Sequence, residues 1–439
     1  MGMTSSLSES QSVEHHAILV DYNDGGASGS GGLGDPLLRH GLKDQEQDED
    51  GASFLRTSFN GLNALSGVGI LSIPYALAEG GWLSLILLFM IAIICCYTGL
   101  LLKRCTDANP SVRTYPDIGG LAFGYKGRVV VSVFMYVEIF LVAIGFLILE
   151  GDNLDNLFPG MSLEIGDFRI AGKQFFVVLI ALVILPTTWL KNLGVLAYVS
   201  AGGVLASVII VFSVLWAATF DGVGFHQRGR PLNVAGLPTS LGLYAFCYCG
   251  HAVFPTISNS MKNKAQYPKV LVLCFVLCTI NYASMAVLGY LMYGDEVKSQ
   301  VTLNLPLGHL SSKIAIYTAL INPFTKYALV ITPIANAIEE RLRVYNKRSS
   351  SLLVRTLLVS STVIIAIMVP FFADLMSFIG SLLSVIVSML LPCICYLMIF
   401  KDSRKSKIEL VFIVLILVFG VLVASLGSYT SLKKIIQEM

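Results

Sequence analysis

Two helix-breaking strings sit inside hydrophobic segments of this chain. One is Ser66-Gly67-Val68-Gly69, followed by Pro74; the other is Tyr248-Cys249-Gly250-His251-Ala252, followed by Pro255. A glycine in a helix interior costs about 1 kcal/mol relative to alanine, and a proline about 3 kcal/mol, so each string interrupts its helix. An interrupted helix exposes free amide N–H groups at the start of one half and free carbonyls at the end of the other. The amides attract a carboxylate, and the carbonyls attract an ammonium or a metal cation. A zwitterionic α-amino acid carries both charges on one carbon. Two facing breaks therefore suit such a ligand with little help from charged side chains. The plainer alternative is that these glycines only permit close helix packing, as expected of Gly202-Gly203. The matching prolines favour a ligand site at both breaks.

Charged side chains in a bilayer cost at least ~2.5 kcal/mol at its centre, so each one there needs a reason. Glu138, His251 and Lys326 fall in the middle of hydrophobic segments, and Asp374 falls close to a turn between two of them. Two readings compete. In the first, Glu138 or His251 carries a coupling proton, and Lys326 is a fixed cation in place of sodium, which favours protons over sodium as the coupling ion. In the second, Glu138 and Lys326 form a buried ion pair that locks two helices, and His251 is a hydrogen-bonded helix contact.

The elements that position these groups are membrane spans. Of 439 residues, 55% are hydrophobic and 13% charged, and mean hydropathy is +0.74, whereas soluble domains carry about 25% charged residues. The apolar runs are long and do not alternate, which predicts an all-α polytopic protein rather than a barrel. Eleven spans are predicted: 58–79, 82–102, 128–149, 174–190, 193–218, 237–260, 268–292, 312–337, 352–373, 375–400 and 408–430. With the N-terminus in the cytosol, 21 Lys and Arg fall on the inside against 8 on the other side. That asymmetry follows the positive-inside rule and leaves the C-terminus lumenal or extracellular.

Residues 1–52 differ in kind, with ten acidic residues and a Gly/Ser-rich stretch. They predict a disordered, cytosolic acidic tail ahead of a transporter domain over 53–439. No apolar run precedes Ser53, so no cleaved signal peptide is expected. The 150–173 loop, with Glu150, Asp152, Asp155, Glu164 and Asp167, is expected to be solvated. The nine cysteines lie in or beside apolar runs, and none suggests a zinc knuckle or a disulfide framework. Nothing calls for a cofactor, a metal or a nucleic-acid partner.

Three strings carry a family resemblance: Asn63-Ala-Leu-Ser-Gly-Val-Gly-Ile-Leu-Ser-Ile-Pro-Tyr-Ala-Leu, Cys249-Gly-His-Ala-Val-Phe-Pro-Thr-Ile and Asn322-Pro-Phe-Thr-Lys-Tyr. They resemble the amino acid/auxin permease family, in its vacuolar, vesicular inhibitory-amino-acid transporter-like branch and plant form. Leu149-Glu-Gly-Asp-Asn-Leu also fits that branch. The resemblance covers roughly residues 53–430. It implies a five-plus-five inverted repeat of the sodium/leucine symporter type, with broken helices 1 and 6 and an eleventh helix. It implies ion-driven amino-acid transport, usually at the vacuolar or lysosomal membrane, with the plasma membrane as the other location. The implied substrate site is Asn63, Ser66, Gly67, Val68, Gly69, Tyr248, Cys249 and Gly250, and the ion-coupling set is Glu138, His251 and Lys326. Tyr136, Tyr244, Phe246 and Tyr248 would line a pocket for apolar or neutral side chains. Asp35-Pro-Leu-Leu approaches a dileucine sorting signal, but its acid is misplaced.

Three other functions compete. A channel would show a ring of like charges or a repeated filter loop, and neither is visible. A membrane enzyme or ATP-driven pump is disfavoured, because Gly120-Leu-Ala-Phe-Gly-Tyr-Lys-Gly lacks the Lys-Ser/Thr ending of a phosphate loop. An amino-acid-sensing receptor without net transport would share every motif, and only flux separates it from a carrier.

Overall fold

The structure, a computed structural model, describes residues 51–165, 168–190, 202–343, 347–401 and 406–438. Residues 1–50 of the acidic tail and the first part of span 5 therefore lie outside the described residues, while Ala52 pairs with the chain at Ser260 and Lys262. Span 1 consists of α1 (Phe54–Leu65), a tight helical turn (Val68–Leu71) and α2 (Ile73–Gly80). Ser53 caps α1 by accepting from the Arg56 amide at 3.3 Å, which meets one of the donors a helix start leaves unpaired. Span 2 is α3 (Ser84–Asp107) and span 3 is α4 (Tyr115–Leu157).

Span 3 is much longer than its apolar run. A capping box of Thr114 and Asp117, with Pro116 in the first turn, starts it early. Gly124, at φ +66°, folds the first turns back. There Gly119 and Gly127 meet backbone to backbone, and a Cβ on Gly127 would lie 2.2 Å from the Gly119 carbonyl. The string Gly120 to Gly127 is thus a helix corner and not a phosphate loop. Arg128 and Asp117 pair across it.

The 150–173 segment is not a plain loop. Span 3 continues to Leu157, and a hairpin follows of β1 (Ser162–Ile165) and β2 (Phe168–Ala171), with Ser162 opposite Ala171. Spans 4 and 5 are α5 (Lys173–Thr188) and α6 (Gly203–Thr219). Span 6 is α7 (Leu237–Cys247) and α8 (Phe254–Asn259). Spans 7, 8 and 9 are α9 (Tyr267–Tyr293), α10 (Leu310–Arg341) and α11 (Arg348–Met368). Span 10 is α12 (Phe372–Ile399), which widens into π-helical turns over Ile379–Ser384 and Ile386–Leu390. Span 11 is α13 (Lys407–Glu438).

Seven helices among the described residues are long and apolar enough to cross a membrane. The broken spans 1 and 6 and the shorter helices of spans 4 and 5 complete the eleven. Spans 1, 2, 6 and 7 pack on one another, and spans 3, 4, 8 and 9 form a second group. Spans 5 and 10 join the groups, span 5 lying along span 8 and span 10 along spans 3 and 6. The second group is tied by a buried ion pair. Arg355 Nε donates to Glu339 Oε1 at 2.8 Å, and its other nitrogens reach Thr188 O and Asn336 Oδ1. Arg355 therefore belongs inside span 9 and not among the loop cations. At the far end of span 11, Lys434 pairs with Glu79 at 3.0 Å, and Asp374 is buried at the start of span 10.

Candidate functional site

α1 ends at Leu65, and the chain runs through Ser66 and Gly67 before the turn at Val68. α7 ends at Cys247, and Tyr248 to Val253 are non-helical. The two breaks touch. A Cβ on Gly69 would sit 2.6 Å from Cys247 Sγ, and one on Gly250 would sit 3.1 Å from Leu65 Cδ2. These two glycines are required by close approach. Gly67 is different: its φ of −107° suits any residue, and beyond its chain neighbours an added Cβ would meet only the Leu65 carbonyl, at 4.0 Å. Neither backbone nor packing requires a glycine there, and the space beside it is open.

The carbonyl end of α1 is filled by side chains. Lys326 Nζ donates to Asn63 O and Ser66 O, both at 2.9 Å. The Tyr282 hydroxyl donates to Leu65 O at 2.6 Å and lies 3.2 Å from Cys247 O. One hydroxyl on span 7 thus touches the last helical carbonyl before each break. No sequence signal marked Tyr282, because a tyrosine in a span is unremarkable until its partners are known. Asn63 and Asn322 converge on Gly203 of span 5, where a Cβ would lie 2.8 and 3.1 Å from their Oδ1 atoms. A cavity of about 190 Å³ runs along the span 5–span 8 seam beside Asn322 and Thr325.

The second break receives a carboxylate. Glu138, buried on span 3, accepts from Cys249 Sγ at 3.0 Å and from Ser384 Oγ at 2.6 Å. Ser384 comes from a π-helical turn of span 10, a feature frequent at functional sites. The predicted Glu138–Lys326 ion pair is absent: each group is held by neutral partners at a different break. The reason is that the inverted repeat sends spans 3 and 8 to opposite broken helices.

His251 is fully buried against span 2. Its Nε2 lies 3.0 Å from Cys95 O and 3.0 Å from Thr98 Oγ1. A carbonyl only accepts, so Nε2 carries the proton. This is a helix-to-helix tie, not the watery position that its place in the break suggested. The expected aromatic lining also divides. Tyr248 donates to Thr279 at 2.9 Å and stacks on Phe275, while Tyr244 meets Ser84 at 3.0 Å. Both hydroxyls are engaged by spans 7 and 2, and Tyr136 and Phe246 are half-buried.

Two touching broken helices within eleven spans, each capped by its neighbours, are the arrangement of an inverted-repeat transporter fold. A solved structure titled MhsT in complex with L-phenylalanine superposes with a TM-score of 0.51, covering 86% of this chain and 98% of that one at 11% identity. That likeness shows the fold. The signature of the family described as transmembrane amino acid transporter protein matches residues 50–433. Amino acid transporter AVT1I of Arabidopsis thaliana is 53% identical over 394 residues, covering 89% of this chain and 97% of that protein. AVT1J of the same plant is 51% identical over 397 residues, covering 90% and 94%. The chain belongs to the transmembrane amino acid transporter family, that of the amino acid/auxin permeases. It is a multi-pass membrane transporter of amino acids and not an enzyme.

Proposed function

We propose that this chain moves neutral amino acids through the two breaks, driven by a proton gradient, across the vacuolar membrane with its N-terminus in the cytosol. The observation that carries the coupling is Lys326. Its ammonium occupies the carbonyl end of α1, at 2.9 Å from two main-chain oxygens, the position where a broken helix would hold a mobile cation. A fixed cation there leaves no need for sodium. The substrate carboxylate then meets the amides opening at Gly67, Val68 and Gly69, entering through the open space beside Gly67. The substrate ammonium meets the carbonyl end of α7 at Tyr248 and Cys249, with Gly250 admitting the close approach of α1. Glu138 sets the charge of this second break.

Supporting the orientation, loop cations still number 20 against 8 once the buried Arg355 is set aside. The vacuolar assignment rests on the family branch that the three sequence strings resemble. The test is uptake of a panel of labelled amino acids into proteoliposomes, with and without an imposed pH gradient. Accumulation of neutral amino acids under the gradient is expected. Binding without flux would instead favour a sensing receptor.

A further inference from the structure

Glu150 belongs to the Leu149-Glu-Gly-Asp-Asn-Leu string that the site does not use, and it is not in a solvated loop. It is 2% exposed inside span 3. Its carboxylate faces the main-chain amide of Phe324, just past Pro323 of span 8, two residues from Lys326. Its Oε1 has no hydrogen-bond partner. Asn153 follows three residues on, on the same helix face; it is fully buried, and its Oδ1 also lacks a partner. From Asn153 a polar chain runs outward. Its amide donates to Gln300 Oε1 at 2.5 Å, and Gln300 donates to Asp152 Oδ2 at 3.0 Å. Asp152 pairs at 3.6 Å with Lys173, whose side chain is 37% exposed.

The chain thus leads from the hairpin end of the molecule to two bare acceptor oxygens beside span 8. An ionised buried carboxylate with one undonated oxygen costs several kcal/mol; a proton supplies the missing donor. The charged groups on the elements around Glu150 are otherwise engaged. On its own span, Asp152 bonds Gln300 and Glu138 bonds Cys249 and Ser384. Lys173 of span 4 reaches Asp152 and Pro370 O, Lys326 of span 8 reaches α1, and Arg355 of span 9 pairs with Glu339. Asp374 of span 10 is a second carboxylate and brings no countercharge, and the 301–304 turn carries no charge.

We propose that Glu150 takes up and releases the coupling proton at the hairpin end, through water entering along the polar side chains of Asp152, Gln300 and Asn153. The proton binds a carboxylate oxygen and leaves to water; no other bond changes. This rests on the proton-driven reading. In proteoliposomes of the full chain, the probe is the labelled amino acid that the wild type takes up fastest. Glu150→Gln is expected to keep exchange of labelled for unlabelled amino acid within about twofold, since exchange needs no net proton movement. Accumulation driven by a pH gradient should fall at least tenfold, and the pH profile of the initial rate should flatten. Glu150→Asp should keep accumulation with a displaced pH profile. Wild-type accumulation by Glu150→Gln would overturn the proposal, as would loss of exchange in both variants, which marks a structural role. A wild type that exchanges but ignores the pH gradient would overturn the proton-driven reading itself.

Discussion

The two breaks occupy equivalent places in the inverted repeat, yet they are completed by opposite charges. Break 1 is held by the second and third spans of the other repeat: Tyr282 of span 7 and Lys326 of span 8. Break 6 is held by the second and third spans of the first repeat: Thr98 and Cys95 O of span 2, and Glu138 of span 3. The fifth spans follow suit. Gly203 of span 5 faces Asn322, and Ser384 of span 10 faces Glu138. The fold is symmetric and its chemistry is inverted in sign. A cation closes the carbonyls of one break; at the other, a carboxylate accepts from the break's own thiol and from a span 10 hydroxyl. A substrate bearing one charge of each sign sees two ends that differ although the scaffold repeats.

The largest effect is expected at Lys326. Lys326→Met removes the donor that closes two main-chain oxygens at the end of α1, at about 1–3 kcal/mol for a buried carbonyl left unsatisfied, and should reduce uptake more than 100-fold. Gly69→Ala comes next, because its Cβ would drive into Cys247 Sγ at 2.6 Å and force the breaks apart; uptake should fall at least tenfold, with a lower Tm. Glu138→Gln keeps an oxygen to accept from Cys249 and Ser384, so a loss of several-fold is expected without unfolding. The double variant Glu138→Gln, Lys326→Met separates the two breaks directly. With no ion pair between them, it should show no recovery over Lys326→Met alone. Restored uptake in that cycle would mean the charges are coupled after all.

The smallest effects sharpen the comparison. Gly67→Ala meets open space, so Tm should hold while the KM for substrate rises a few-fold; unchanged KM and kcat would remove Gly67 from the site. His251→Gln retains an amide donor for Cys95 O, so the pH profile of uptake should be unchanged, and a displaced profile would return His251 to the coupling machinery.

Much of this was legible in the sequence for definite reasons. Glycine and proline punctuate helices locally, so Ser66–Gly69 and Tyr248–Ala252 read as breaks, and long apolar runs read as spans. Partners were not legible, because they are set by which helices the repeat brings together. Lys326 reads as a mate for Glu138 only by sign of charge, whereas its partners are uncharged main-chain oxygens that no composition reveals. Glu150 reads as loop because the apolar run stops at Leu149, but the helix continues to Leu157 and turns its polar face onto span 8 and the 301–304 turn. Tyr282 and Ser384 are ordinary residues until the structure places them against a carbonyl and a carboxylate.

The most direct test of the central claim, a fixed cation at break 1 that makes the carrier independent of sodium, is the initial rate of amino-acid uptake in proteoliposomes with sodium replaced by choline and a pH gradient imposed. The rate should be the same in both salts, fall at least tenfold when the gradient is collapsed, and be lost in Lys326→Met. A wild-type rate that rises with sodium and ignores the pH gradient would contradict the account.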